Sequence, residues 1–243
     1  MARAVRNITS IKRNDVYKGK FTTIIPAAGI GKRMKCCGPK ALIEINHLSI
    51  IERQLNLILS LYPETDIIVG VGFEAHKIKN HLKDKYNVRY VKNELFETTN
   101  VLHTIGLCLQ ASIYNKVLII YGDLIFNQNT IKNLIDNKSK IVIDNKQQFR
   151  DEEVGVIYQN NKVTNFSHGI PIKWSQIVFL AGSELEEFEK MAISESCNSW
   201  FGYEALNELI NRDYDIYIKD QIDSKIIELD YIKDIEIAQR LKI

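Results

Sequence analysis

Two glycines and two cations follow the first β-rich run of the chain, in the stretch Ile24-Ile-Pro-Ala-Ala-Gly-Ile-Gly-Lys-Arg-Met34. Backbone N–H groups in such a loop can approach a phosphate or a base, because no side chain blocks them. Two known phosphate loops do not match: the dinucleotide fingerprint needs a glycine at Met34, and the Walker loop needs a glycine at Pro26 and a hydroxyl at Arg33. What remains is A-A-G-x-G-x-R-M with Pro39-Lys40 downstream, which predicts a loop that contacts a phosphate or a base.

Acidic residues stand at the ends of two later β-rich runs. Asp123 follows the run Val117–Tyr121, at the edge where ligands gather in open α/β sheets. Glu228 and Asp230 are two residues apart near the end of the run Lys225–Leu229, so they share one face of a strand. Helix capping is the alternative: Asp123 would cap a following helix, and Asp230 would cap a helix that starts at Tyr231.

The elements that position these residues are short strands alternating with helical stretches. Helical spacing over Ile50–Leu59, and over Val101–Leu109 after a cap at Thr98-Thr99, separates the early strands. This order predicts parallel pairing and a sheet covered by helices on both faces. After residue 125 a mixed or antiparallel extension is expected, with a closing helix over Tyr231–Leu241. The predicted strands are Thr22–Ile25, Ile67–Val71, Val88–Val91, Val117–Tyr121, Ile141–Ile143, Val154–Tyr158, Val163–Phe166, Ile177–Leu180 and Lys225–Leu229.

Composition limits the class of protein. The 243 residues are 45% hydrophobic and 26% charged, with a net charge of +2, which argues against a nucleic-acid-binding protein. The longest apolar runs fall far short of the about 20 residues that cross a bilayer. The four cysteines form no metal or redox pair, which favours reduced thiols in a cytoplasm.

Domain boundaries follow from the same pattern. We expect a basic, solvated leader over residues 1–20, with a cleaved transit peptide as the alternative. Residues 21–243 are predicted to form one domain, with a nucleotide-binding half over about 21–126 and an acceptor-binding half over about 127–243. The sequence leaves open whether the protein is a monomer or a homodimer.

The motif Ala27-Ala-Gly-Ile-Gly-Lys-Arg-Met34 with Pro39-Lys40 resembles the signature of nucleotidyltransferases that join an NTP to a phosphate-bearing metabolite. The similarity spans roughly residues 22 to 240. The stretch Glu97-Thr-Thr-Asn100 and the short chain most resemble the CTP:phosphocholine and aminoethylphosphonate cytidylyltransferase branch. Further similar segments are Pro39–Ile45, Ile50–Gln54, Val69–Phe73, Tyr121–Asp123, and Ile226–Asp230 followed by Asp234.

This resemblance implies a Rossmann-like, mixed and mostly parallel α/β sheet of the glycosyltransferase A type. It implies Mg²⁺ as cofactor, with Asp123 and Asp230 as ligands and Glu228 as a third group. Arg33, Lys40 and Asp123 are the implied catalytic residues. The implied nucleotide contacts are Ala27, Ala28, Gly29, Gly31, Lys32, Arg33, Lys40, Gly72, Asn100 and Gly122.

Two segments depart from the family pattern. Cys36-Cys37-Gly38 fills a loop that is longer and acidic or hydroxylated in many members. A lysine that the family often shows is absent from Ser167-His168-Gly169, and Lys173 is a candidate substitute.

Aromatic residues of the second half are candidates for binding the acceptor. Trp174, Trp200 and Tyr203 could surround a quaternary ammonium group through cation–π attraction, although packing inside the core is the alternative. The favoured hypothesis is therefore transfer of CMP from CTP to a small phosphorylated or phosphonate metabolite, with release of pyrophosphate. A sugar 1-phosphate acceptor is the alternative within the class.

Two rivals lie outside that class. One is a glycosyltransferase that uses an NDP-sugar, which the absence of a D-x-D motif at Asp123 argues against. The other is a catalytically inactive regulatory subunit, which the retained glycine loop, Lys40 and Asp123 argue against.

Overall fold

The computed structural model describes residues 20–31, 38–144, 153–219 and 223–240. The expected leader (except Lys20), Lys32, Arg33, and the Cys36-Cys37 pair lie outside these residues. The strands are β1 (Thr22–Ala27), β2 (Glu44–Ile45), β3 (Leu48–Ser49), β4 (Asp66–Val71), β5 (Arg89–Lys92), β6 (Lys116–Ile120), β7 (Leu124–Phe126), β8 (Lys140–Asp144), β9 (Val154–Gln159), β10 (Lys162–His168), β11 (Lys173–Ala181), β12 (Tyr217–Ile218) and β13 (Ile226–Glu228). The helices are α1 (Ile50–Leu61), α2 (Ala75–Leu82), α3 (Val101–Ala111), α4 (Gln128–Ile131), α5 (Gly182–Ala192), α6 (Gly202–Asn211) and α7 (Ile232–Arg240).

The first half of the main sheet is parallel. Its strand order begins β5-β4-β1-β6, and all three of these neighbouring pairs run parallel. Strand β1 is buried along most of its length between β4 and β6, as expected for a strand covered on both faces. The predicted parallel pairing of the first half is confirmed.

The second half of the sheet is mostly antiparallel. The order continues β11-β8-β12-β10-β9, in which only β8 and β12 form a parallel pair among the described strands. Strand β11 pairs antiparallel with β6 and so joins the two halves into one sheet. A separate ribbon of β7 and β13 lies at the side of the main sheet. The expected mixed sheet with an antiparallel extension is confirmed, but the expectation of a mostly parallel sheet is wrong: four of the eight neighbouring pairs in the described main sheet are antiparallel.

Helices pack on both faces of this sheet, as the alternating pattern predicts. One buried cluster joins the sheet to α3, α5 and α6, and a second joins it to α1 and α2. Helix α1 begins with a capping box in which Ser49 and Glu52 satisfy each other's backbone N–H groups. No helix in the described ranges combines the length and the apolar character that spanning a membrane requires.

The start of α3 differs from the sequence prediction. Thr98 and Thr99 lie in a turn, where both of their backbone N–H groups donate to the carbonyl of Leu95. The N-cap is Asn100, in extended backbone. Because the threonine side chains also donate to Leu95 O, the turn rather than the helix uses their hydroxyls.

Candidate active site

A cavity of about 690 Å³ opens at the carboxyl ends of β1 and β6. The chain runs outward from β1 to β4 and β5, then crosses back to place β6 on the other side of β1. Ligands of open α/β sheets bind where the strand order reverses in this way. The loop after β1 and the loop after β6 therefore face the same cavity.

Two glycines let the loops after β4 and β6 approach the backbone at the end of β1. A Cβ atom at Gly122 would lie 2.9 Å from the carbonyl oxygen of Pro26. A Cβ at Gly72 would lie 2.8 Å from the carbonyl oxygen of Ala28 and 2.7 Å from the Cβ of Phe96. All three distances are shorter than a Cβ atom tolerates, so only glycine permits this packing at the two positions. Gly122 lines the cavity. Gly72 does not line it but packs against Ala28 and Phe96, which do.

Lys40 bridges two carboxylates from distant parts of the chain. Its Nζ lies 2.9 Å from Asp123 Oδ2 and 2.8 Å from Asp230 Oδ1. Burial alone would lower the pKa of Lys40, but the two carboxylates outweigh it and the pKa is raised. Lys40 is therefore a charged residue with a largely buried side chain, and it is not an ordinary surface lysine.

The backbone around Asp123 is fixed from two sides. The buried side chain of Gln54 on α1 donates to the carbonyl oxygens of Tyr121 and Leu124, each at 2.8 Å. The N–H of Leu229 donates to Asp123 O at 3.0 Å. Asp123 precedes a strand, β7, rather than a helix, so it does not act as a helix cap.

Asp230 is held by another carboxylate, that of Asp234 in the first turn of α7. Asp234 Oδ2 accepts hydrogen bonds from the N–H groups of Asp230 and Tyr231, at 2.9 and 2.8 Å. Asp234 thus satisfies the backbone at the start of the helix, which leaves the side chain of Asp230 directed at Lys40. Asp234 therefore acts as a first-turn acid that binds the backbone just before α7.

Lys173, at the start of β11, forms a second bridge beside the first. Its Nζ lies 2.6 Å from Glu153 Oε1 and 2.8 Å from Glu228 Oε2, and all three side chains are largely buried. Burial, together with the nearby Asp123 and Asp230, raises the pKa of Glu228, although Lys173 acts to lower it. The surroundings of Glu228 therefore disfavour the charged form of its carboxylate.

The two bridges form one acidic cluster whose carboxylates could serve as ligands for a cation. Carboxylate oxygens of Asp123, Glu228 and Asp230 lie within 4.8 Å of one another. Asp123 Oδ1 is buried and accepts no hydrogen bond from any described residue. Among the described residues of this cluster, four carboxylates face two lysines, which leaves two negative charges that one divalent ion would balance. Hard oxygen donors of this kind suit Mg²⁺, so the residues fit the predicted metal.

Aromatic side chains also line the cavity. Phe201 stacks on Tyr203 with a centroid distance of 6.1 Å, and Tyr203 meets His168 edge to face at 5.7 Å. Phe201 is 50% exposed at the cavity mouth. Trp174 is deeper and only 4% exposed, and its indole N–H finds no acceptor among the described residues.

Most of the predicted site residues meet at this cavity, although contact with a substrate remains a prediction. Gly72 and Trp200 do not line it, and Lys32 and Arg33 lie outside the described residues. Sequence reasoning missed Glu153, because nothing distinguishes it within the run Asp151-Glu-Glu153. The predicted residues that line the cavity are Ala27, Ala28, Gly29, Gly31, Lys40, Asn100, Gly122, Asp123, Trp174, Tyr203, Glu228 and Asp230.

Residues 23–201 match the family model of the MobA-like NTP transferase domain. The chain belongs to this family. The NTP transferase domain thus includes the glycine loop, Lys40, Asp123 and the strands that position them. The suspected nucleotidyltransferase family and the α/β fold class are both confirmed.

Curated relatives support the same family. The chain is 32% identical over 123 residues to the bifunctional protein GlmU of Coxiella burnetii, a match covering 48% of this chain and 25% of the relative. It is 30% identical over 140 residues to a probable UDP-N-acetylglucosamine pyrophosphorylase of Acanthamoeba polyphaga mimivirus, covering 54% of each. The matches therefore span about a quarter to a half of these relatives.

Solved structures share the fold over nearly the whole chain. The CTP:phosphocholine cytidylyltransferase LicC of Streptococcus pneumoniae superposes with a TM-score of 0.76, at 22% identity, over 90% of this chain and 97% of that one. The inositol-1-phosphate CTP transferase of T. maritima gives a TM-score of 0.73 at 14% identity, over 90% and 95% of the two chains. At these identities the likeness establishes the fold of the NTP transferase domain.

Proposed function

We propose that the protein transfers a nucleoside monophosphate from an NTP to a small phosphorylated or phosphonate acceptor and releases pyrophosphate. The observation that carries this proposal is the cavity in which the glycine loop faces Lys40 and a carboxylate group suited to Mg²⁺. Membership of the NTP transferase domain family supports it.

The reaction needs positioning and charge neutralisation more than proton transfer. An oxygen of the acceptor phosphate attacks the α-phosphorus, and the bond from that phosphorus to the oxygen bridging to the β-phosphate breaks as pyrophosphate leaves. The attacking oxygen is already anionic, so no general base is required. Mg²⁺ held by Asp123 and Asp230 would neutralise part of the phosphate charge.

The chain's own cations have separate tasks in this proposal. Lys40 contacts the α-phosphate, where charge is redistributed in the transition state. Arg33 suits the β- and γ-phosphates, because its planar fork binds oxyanions in a bidentate manner. The backbone of Gly29 and Gly31 approaches the nucleotide, and Gln54 holds the loop that carries Asp123.

The lining of the acceptor end favours an acceptor that also carries a positive charge. Among the described residues, Glu153 and Glu228 share the cation Lys173, and the side chains of Trp174 and Tyr203 line the same cavity. Carboxylates and aromatic faces both attract a quaternary or primary ammonium group. We therefore favour phosphocholine or aminoethylphosphonate, with CTP as the nucleotide.

A sugar 1-phosphate is the second candidate acceptor. It is favoured by the identity of about a third, over half of this chain, to GlmU proteins and by the relative named as a UDP-N-acetylglucosamine pyrophosphorylase. A screen of pyrophosphate release tests both candidates, with four NTPs against phosphocholine, aminoethylphosphonate, glycerol phosphate and sugar 1-phosphates. If no NTP gives pyrophosphate release and an NDP-sugar is turned over, the protein would instead be a glycosyltransferase.

The positive charge of the acceptor can be tested with a matched pair of compounds. Phosphocholine and 3,3-dimethylbutyl phosphate have nearly the same shape, but only the first is cationic. We expect a KM about tenfold lower for phosphocholine, since a desolvated cation–π contact contributes about 1–2 kcal/mol. Equal KM values would contradict recognition of the charge, and a preference for sugar 1-phosphates would support the second candidate.

A further inference from the structure

Lys40 occupies the gap between the two carboxylates that the proposed function assigns to the metal. Its Nζ lies within 2.9 Å of both Asp123 and Asp230, and its side chain is only 15% exposed. A divalent ion bound to the same two oxygens, Asp123 Oδ2 and Asp230 Oδ1, would stand in the same gap. Two cations cannot occupy it together, because both repulsion and simple volume forbid it.

The surroundings hold Lys40 in this position firmly. Burial makes an unpaired carboxylate costly, so Asp123 and Asp230 each need a positive partner in the absence of metal. The other lysine among the described lining residues does not supply it, because Lys173 already bridges Glu153 and Glu228. Lys40 is thus the internal counter-ion of this carboxylate pair.

We propose that Lys40 blocks metal binding to the free protein. A bound nucleotide displaces Lys40, because the phosphates of the nucleotide attract the ammonium group of the lysine. The inference rests on the proposed function for the presence of those phosphates. Lysine suits such a switch because its flexible four-carbon stem lets one charge serve two positions. Metal and nucleotide then bind with positive coupling, since each removes an obstacle to the other.

Titration of the nucleotide-free protein with Mn²⁺, followed by electron paramagnetic resonance, tests this directly. Lys40→Met keeps the length of the side chain and removes its charge, so we expect Mn²⁺ to bind at least about tenfold more tightly than to the wild type. Unchanged or weaker binding would overturn the proposal.

Lys173→Met is the control with the same change in charge. It removes one positive charge from the same cluster but leaves Lys40 between Asp123 and Asp230. We expect a gain in Mn²⁺ affinity of no more than about threefold. An equal gain in both variants would mean that net charge alone, and not occupation of the gap, sets the affinity.

A second measurement covers the case in which Lys40→Met folds poorly. Lys40→Gln keeps a hydrogen-bond donor without the charge, and Mn²⁺ should raise its Tm more than that of the wild type, because a ligand stabilises the state that binds it. No difference in the Tm shift would overturn the proposal.

The Mn²⁺ titrations and the Tm shifts do not require catalytic activity, so they can succeed or fail separately from the proposed function. A wild type that releases pyrophosphate, combined with no gain in Mn²⁺ affinity in the variants, rejects the switch and keeps the function. A gain in affinity without pyrophosphate release from any NTP keeps the competition at the carboxylates and rejects the function.

Discussion

Two glutamates with largely buried side chains, Glu52 at the start of α1 and Glu228 in the cavity, behave in opposite ways. At the start of α1, Glu52 accepts hydrogen bonds from Ser49, and it pairs with His81 at 2.9 Å and Lys85 at 2.9 Å. Burial would raise its pKa, but these partners outweigh burial and lower the pKa to about 2. In the cavity, Glu228 has one lysine partner and two acidic neighbours, and its pKa is raised.

The difference separates a cluster that stabilises the fold from one to which we assign a function only as a proposal. Around Glu52 every partner favours the charged carboxylate, so the group stabilises the contact between α1 and α2. Around Glu228 like charges are crowded together, which costs stability unless a cation arrives. Buried groups with unfavourable neighbours in a cavity are typical of functional sites. Four substitutions test this contrast.

The largest effect is expected from Asp123→Asn. We expect it to reduce Mg²⁺-dependent pyrophosphate release at least about 10³-fold, because it removes a charged ligand from the cluster. Asp136→Asn is the control, since Asp136 pairs with Lys140 away from the cavity. Retained activity in Asp123→Asn would place the metal elsewhere.

Lys40→Ala should lower kcat by about 10²–10³, which corresponds to about 3–4 kcal/mol of preorganised electrostatic stabilisation. Steady-state kinetics at saturating nucleotide measure this loss, and circular dichroism checks that the fold is intact. An unchanged kcat would remove Lys40 from the mechanism.

Glu52→Gln should lower the free energy of unfolding by about 1–3 kcal/mol at pH 7, with no direct effect at the cavity. Lys85 is half exposed, so solvent screens its ion pair with Glu52 and the loss stays within this range. The folded-state pKa is depressed, so the stabilisation is present above pH 4.5 and is lost as the pH falls toward 2. Chemical denaturation across this range should show a flatter profile for the variant than for the wild type.

Glu228→Gln should have the smallest effect on stability, and in the opposite direction. Removing one of the crowded charges should raise the free energy of unfolding by about 1 kcal/mol at pH 7 without metal. Pyrophosphate release should fall in the same variant. Lower stability would show that Lys173 satisfies Glu228 as fully as its partners satisfy Glu52.

The sequence predicted the parallel half of the fold well because its signals are local. Buried β-rich runs bounded by turns located β1, β4 and β6 to within a residue or two, and the glycine loop pointed to the anion-binding edge. The cap at Thr98-Thr99 was wrong, because those hydroxyls bond within a turn. The short strands β7 and β12 carry too short a pattern to be recognised, whereas the three-residue strand β13 lies within the predicted run Lys225–Leu229.

The residue types of the site were determined by the sequence itself: glycines that open a loop, Lys40 after Pro39, and acids at strand ends. Only the tertiary structure decided their pairing. Lys40 meets Asp230 across 190 positions of the chain, and Lys173 joins Glu153 to Glu228. Spacing along a chain reports which side chains share a strand or helix face, whereas contacts between distant segments depend on how strands are ordered in the sheet.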